Sequence, residues 1–182
     1  MRHASLTLAT LLAVTALTGT ASAFVTVVGG SFATACYQNA RENLRTPQAL
    51  DQCNNALTEV LSNHDRAGTL VNRGIVYMNR RAYELALSDF DAAIALEPAL
   101  AEGHINRGAA LLAQNNFAGA IEAINRGLEL NPEEPARAYY NRGVAHEELG
   151  DVRAAYRDYR RAAELAPAWD RPRAELTRFR VG

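Results

Sequence analysis

An all-α stack of helical hairpins, an α-solenoid, is the fold class this sequence predicts, and three observations predict it. Asn-Arg-Gly recurs with its Asn at Asn72, Asn106 and Asn141, at spacings of 34 and 35 residues. Pro98, Pro132 and Pro167 recur at the same two spacings, so the period belongs to a whole unit and not to one motif. Within each unit an Ala follows the Gly by 12 residues (Ala86, Ala120, Ala155), and an aromatic or aliphatic residue follows that Ala by four (Phe90, Ile124, Tyr159), which is helical spacing. The midpoints of the Gly and Ala pairs fall beside Asn79-Arg80, Gln114-Asn115-Asn116 and Leu149-Gly150-Asp151, the turn-forming residues of each unit. Each unit therefore reads as helix, turn, helix, with a Gly facing an Ala where two backbones approach closely. The extra residue of the longer period falls within 131–135, a Pro-containing connection where no packed element has to change register.

The composition fits a globular chain: 182 residues, 48% apolar, with 19 basic side chains, all Arg, against 20 acidic ones. A formal charge of -1 gives no general attraction for nucleic acid, which excludes a polyanion partner. No run reaches the roughly 18 apolar residues of a membrane-spanning helix, so no integral membrane span is expected.

Taken in order, residues 1–23 read as an address and not as a fold element. Met1, Arg2 and His3 give a positive start, Leu6 to Leu17 is uncharged and apolar, and Ala21-Ser22-Ala23 supplies small residues for a signal peptidase. A signal peptide cleaved after Ala23, and an exported, periplasmic protein, are the expectations. Residues 24–66 follow as a degenerate hairpin, with helices expected over 31–44 and 47–61. Thr46 before Pro47 is an N-cap followed by the favoured first helical residue. Cys36 and Cys53 are equidistant from the turn between those helices, which sets the two sulfurs opposite each other. An oxidising compartment favours a disulfide over a reduced buried pair, and nothing nearby equips either as a catalytic thiol. Three full units cover 67–100, 101–134 and 135–169. Residues 170–182 are expected to form a C-terminal capping helix. Asp170 would be its N-cap, Ala174, Leu176 and Phe179 its apolar stripe, and Arg171, Arg173, Arg178 and Arg180 its wet face.

These residues resemble the tetratricopeptide repeat family, whose unit of about 34 residues is patterned W-x-x-L-G-x-x-Y, then A-x-x-x-F, then P. Leu70, Gly74, Tyr77, Ala86, Phe90 and Pro98 fill those slots in the first unit. His104, Gly108, Leu111, Ala120, Ile124 and Pro132 fill them in the second, and Tyr139, Gly143, His146, Ala155, Tyr159 and Pro167 in the third. One departure is consistent: the slot usually holding Leu holds Arg73, Arg107 and Arg142, a subfamily trait rather than an active site. The resemblance implies a concave groove lined by the first helix of each hairpin. In relatives that hold peptides, an Asn there hydrogen-bonds the ligand's backbone, which gives Asn72, Asn106 and Asn141 that role. The alternative is that each amide bonds its own or the adjacent hairpin, and the two stand level. Val71, Ile75, Ile105, Ala109, Tyr140 and Val144 share the surface and make it apolar, suited to a helix or an apolar peptide. The Lys residues of the carboxylate clamp in some relatives have no counterpart.

The remaining polar residues read as structural. Asp89 lies 16 residues after Arg73 and Asp158 lies 16 after Arg142, across each hairpin, whereas Ala123 stands where Arg107 would find its acid. Arg107 therefore either pairs with a neighbouring unit or meets a ligand. His64, His104 and His146 have no second ligand at helical spacing, so no metal is expected. No nucleophile elbow, phosphate-binding Gly loop or paired carboxylate stands out, so neither catalytic residues nor a cofactor are expected. Residues 24–136 hold 8 Arg against 13 acids and residues 137–182 hold 10 Arg against 7, an end-to-end asymmetry able to steer a partner. The expectation is a non-enzymatic scaffold or adaptor that binds another polypeptide in its groove, with self-association through its ends as a further possibility. The rival is an accessory domain or envelope-associated hydrolase with an unrecognised site.

Overall fold

In the computed structural model, which describes residues 6–8, 21–27 and 30–181, nine helices follow one another, the first eight as four stacked antiparallel pairs. The first pair is α1 (Ser31–Arg41) and α2 (Pro47–Thr58). Three repeats follow: α3 (Asn63–Asn79) with α4 (Tyr83–Leu96), α5 (Ala101–Ala113) with α6 (Phe117–Glu129), and α7 (Pro135–Glu148) with α8 (Val152–Leu165). A short α9 (Asp170–Leu176) closes the stack.

The helix ends show why the hairpins turn where they do. The Ala49 amide donates to Thr46 Oγ1, so α2 starts at the expected cap. Asn116 and Asp151 cap α6 and α8 in the same way, through the amides of Gly119 and Ala154. Each repeat turn passes through one left-handed residue: Arg81, Asn115 and Gly150, at φ of 61°, 61° and 80°. The first hairpin is shorter than its sequence suggests. Asn43 enters the left-handed region at φ 57°, ending α1 at Arg41. Arg66 donates to the carbonyls of Leu57 and Glu59, satisfying the end of α2 before Leu61 is reached. Cys36 and Cys53 lie face to face, fully buried, with Cα atoms 4.7 Å apart and their sulfurs joined.

The C-terminal end departs from the expected helix over 170–182. The amides of Thr177 and Arg178 bond the carbonyls of Ala174 and Glu175, a tightened last turn that stops α9 at Leu176. Phe179 then swings in, its ring centroid 5.7 Å from that of Tyr156 and 5.9 Å from that of Tyr159. Burying that ring on two others outweighs another helical turn. Trp169, not Asp170, is the N-cap residue, and Asp170 instead accepts from Arg173 at 2.6 Å inside the first turn. Phe179 opens a strand, β2 (Phe179–Val181), which pairs antiparallel with β1 (Leu6–Leu8), Leu6 opposite Val181 and Leu8 opposite Phe179. This ribbon adds two short strands to an otherwise helical plan. Most of the apolar run Leu6 to Leu17 lies outside the described residues.

On the first helix of each repeat the Asn-Arg-Gly tripeptide has one residue for each direction in which the repeat must make contact. Successive helical residues point about 100° apart, so three in a row address three faces. Gly faces its own second helix: a Cβ at Gly74 would overlap the Phe90 ring, and one at Gly108 would lie 2.5 Å from Ile124 Cγ1 and 3.0 Å from the Ala120 carbonyl. A Cβ at Gly143 would lie 3.0 Å from the Tyr159 ring. The tight contact is thus with the large residue four positions after the repeat Ala more than with the Ala itself. Arg faces the seam between hairpins, and Asn faces the groove.

Candidate functional site

The groove is defined by Asn72 on α3, Asn106 on α5 and Asn141 on α7, all fully buried. What buries them is the chain's own segment 21–27, an extended stretch outside the helices. Each amide makes both bonds to one residue of that segment. Asn141 Oδ1 accepts from the Ala21 amide at 3.0 Å, and Asn141 Nδ2 donates to the Ala21 carbonyl at 2.7 Å. Asn106 treats Ala23 identically, at 3.1 and 2.5 Å, and Asn72 treats Val25 so at 3.4 and 2.8 Å. Asn106 Nδ2 also donates to the Glu102 carbonyl at 2.9 Å, which fixes its rotamer within α5.

The result is a ladder with the logic of a β-sheet edge, except that side-chain amides replace the neighbouring strand. Alternate residues of an extended chain face one way and recur every 6.6 Å or so, so one repeat engages two residues. The segment runs against the repeat order, from Ala21 at the third repeat to Val25 at the first. Ala21, Ser22, Ala23, Val25 and Val27 are all at most 7% exposed, Phe24 is half-buried and Thr26 is exposed. The Arg137 guanidinium stacks over the Phe24 ring at 5.1 Å and stands 6.0 Å from the ring of Trp169. Behind Arg137 a cavity of about 720 Å³ opens between the 131–135 connection and the end of α8, lined by Glu133, Leu165 and Trp169 among others.

The apolar residues named for the groove are all buried with this segment. Val71, Ile75 and Ala109 share a cluster with Val25; Ile105 shares one with Ala23; Tyr140 and Val144 share one with Ala21. Two of them do most of their packing inside the stack. Ile105 lies against Gly127 of α6. Tyr140 packs on Tyr159 and Trp169, with centroids 5.6 and 5.0 Å away, and donates to Glu175 at 3.3 Å; burial pushes its hydroxyl pKa up to about 12. Both sit one residue before the groove Asn, a step that rotates the side chain towards the second helix. Gly68, four residues before Asn72, belongs to no motif of the sequence yet shapes the groove. A Cβ there would lie 2.7 Å from Val25 Cγ1 and 3.0 Å from Val27 Cγ2, so its bareness is what admits two Val side chains.

The Arg residues hold the seam. Arg73 makes a two-pronged pair with Asp89 at 2.8 and 2.7 Å and reaches Asn54 of the first hairpin at 2.9 Å. Arg142 repeats this with Asp158 at 2.7 and 2.8 Å and Asn125 of the second repeat at 2.6 Å. The Asp89 and Asp158 hydrogen bonds raise the pKa of both guanidinium groups. Arg107 pairs with a neighbouring unit: its Nε lies 2.7 Å from Asp91 of α4. The histidines have ordinary partners, His64 on Glu97 and His104 on the Pro98 carbonyl. Burial lowers the pKa of His146, 4.0 Å from Asp158. Among the described residues no three His, Cys, Asp or Glu side chains are grouped to hold a metal, and no helix is long and apolar enough to cross a membrane.

A stack of antiparallel hairpins repeating every 34 to 35 residues, with a side-chain ladder along its inner face, defines an α-solenoid. The model of the tetratricopeptide repeat matches residues 101–134 and 136–168, so the hairpins α5–α6 and α7–α8 are tetratricopeptide repeats. Human serine/threonine-protein phosphatase 5 is 31% identical over 102 residues, 56% of this chain, but the chain spans only a fifth of that protein. Among solved structures, the tetratricopeptide domain of Arabidopsis OM64 superposes with a TM-score of 0.60 at 26% identity, covering 64% of this chain and 96% of that one. The first such domain of Spaghetti (RPAP3), solved with the HSP90 peptide SRMEEVD, gives 0.58 at 28% identity over 61% of this chain and 89% of that one. MamA from Desulfovibrio magneticus RS-1 gives 0.59 at 22% identity over 82% and 84%, a likeness of fold.

Proposed function

We propose that this protein is a non-enzymatic scaffold or adaptor that holds another polypeptide in its concave groove by the main chain. The observation that carries the reading is the amide ladder: three Asn side chains each satisfy both the N–H and the C=O of one residue in an extended segment. A grip on backbone atoms transfers to any chain able to lie extended in the same register. The related RPAP3 domain solved with a peptide supports a polypeptide partner. The resemblance to phosphatase 5 is confined to a fifth of that enzyme, which supports an interaction module over a catalytic one.

The protein acts after export. The positive start, the apolar run and Ala21-Ser22-Ala23 support a signal peptide removed after Ala23, and a periplasmic location accommodates the Cys36–Cys53 bridge. Cleavage there removes Ala21 and Ala23, which leaves Asn141 and Asn106 open for a partner. Crosslinking in the native host, with mass spectrometry, tests the reading. A partner set captured by the wild type and lost when Asn72, Asn106 and Asn141 are all changed to Ala supports it; equal capture by both contradicts it. Hydrolytic activity of the pure protein towards an envelope substrate would favour the rival, an enzyme or enzyme accessory, and a concentration-dependent mass in light scattering would reveal self-association.

A further inference from the structure

We infer that the groove selects its ligand by side-chain size at every second residue: it takes an uncharged, extended peptide with Ala-sized side chains facing the second and third repeats and Val-sized ones facing the first. This rests on the groove-binding reading above and adds a register, a polarity and a size rule to it. The seated segment, Ala-Ser-Ala-Phe-Val-Thr-Val, carries no charge; the Asn side chains that face it are neutral, and the Arg137 guanidinium beside it meets the Phe24 ring and no acid of the segment.

The size rule follows from one position in the repeat. Four residues before each groove Asn stand Gly68, Glu102 and Arg137, on the face of the helix one turn below the amide. At the first repeat the bare Gly68 leaves space that Val25 and Val27 fill, with Cγ atoms 2.7 and 3.0 Å from where a Cβ would sit. At the other two repeats that position carries a long side chain, and the inward residues are Ala23 and Ala21, 2% and 4% exposed. Interiors packed to crystal-like density do not absorb an added ring, so a large inward side chain must lift the main chain off its Asn. Thr26 is exposed and carries no such constraint. The order of contacts, Ala21 on α7 and Val25 on α3, fixes the polarity of a bound peptide.

The test uses the full chain with Ala21→Arg, Ala23→Arg and Val25→Arg, which keeps its own segment off all three groove Asn residues, and labelled nonapeptides with the sequence of residues 19–27. The parent peptide is expected to bind, its Ala23→Trp form to bind about tenfold or more weakly, and its Thr26→Trp form to stay within about threefold. The reversed sequence is expected to lose binding. Adding Gly68→Ala to the protein should weaken the parent, and Val25→Ala in the peptide should recover it. If the Ala23→Trp or reversed peptide binds as well as the parent, the size and polarity rules fall while groove binding stands. If no peptide binds the folded protein, the groove-binding reading itself falls. Should the Arg variant not fold, the same substitutions made in the otherwise unaltered chain decide the matter by hydrogen exchange at the Ala21 and Val25 amides. Ala23→Trp is expected to abolish protection and Thr26→Trp to preserve it; protection retained under Ala23→Trp overturns the inference.

Discussion

Along the concave face the three repeats do the same thing, and along the seam between hairpins they do not. Every groove Asn binds one residue by both its backbone groups. The seam Arg residues differ: Arg73 and Arg142 clamp an Asp of their own hairpin, whereas Arg107, lacking that Asp, takes Asp91 of the previous one. The difference lies in what each face touches. A main chain presents the same donor and acceptor at every second residue, so a ladder that follows it has to repeat without exception. A seam made of side chains has no such constraint, and one acid can be exchanged for another nearby.

The first hairpin, which carries neither a groove Asn nor a seam Arg of its own, should depend most on its own device. Linking residues 17 apart, the Cys36–Cys53 bridge is worth about 3 kcal/mol in the chain-entropy account, so changing both to Ser should lower stability by that amount in chemical denaturation. An undiminished midpoint would show that α1 and α2 are held by packing on α3 alone. Next in size is the hairpin interior. Gly108→Val should cost about 2 to 3 kcal/mol, because the Ala120 carbonyl facing it is backbone and cannot swing away as a side chain can.

The seam gives a sharper internal comparison. Asp89 is 7% exposed and receives two bonds from Arg73, so Asp89→Ala should cost about 2 kcal/mol. Asp91 is 58% exposed and receives one from Arg107, so Asp91→Ala should cost under about 1 kcal/mol. Equal losses would mean that the two arrangements are equivalent. The smallest effect is electrostatic. Burial raises the pKa of Glu102 above its ordinary 4.5, so its contribution is fully present below that pH and is lost as pH rises through the folded value. Glu102→Gln should therefore raise the melting temperature at neutral pH and leave it unchanged near about pH 4; the opposite order would refute a burial-driven shift.

Period and placement were legible in the sequence because stacked repeats force the same residue types to recur. Asn-Arg-Gly and the Pro spacing gave the hairpins, Thr46-Pro47 gave the start of α2, and the symmetry of Cys36 and Cys53 about a turn gave their approach. Residues judged one at a time were harder to read. Phe179 looked like part of a helical stripe, but its burial against Tyr156 and Tyr159 comes from a distant element and ends the helix early. Ile105 and Tyr140 adjoin the groove Asn in sequence, and a single residue's rotation turns their main packing into the stack. The occupant of the groove carries an alternation, Ala21, Ala23, Val25, Val27, but the same small residues also fit the pattern expected before a signal-peptidase cut, so one stretch of sequence serves two readings. Gly68 carried no signal without its partner, since its meaning lies in Val25 and Val27, more than 40 residues away.

The central claim is that three Asn amides hold an extended main chain at every second residue, and site-resolved hydrogen exchange by NMR on the full chain tests it most directly. The account predicts slow exchange at the amides of Ala21, Ala23 and Val25, fast exchange at Thr26, and loss of the slow set when Asn72, Asn106 and Asn141 are changed to Ala. Uniformly fast exchange across 21–27 in the wild type, or protection that survives the triple change, would contradict it.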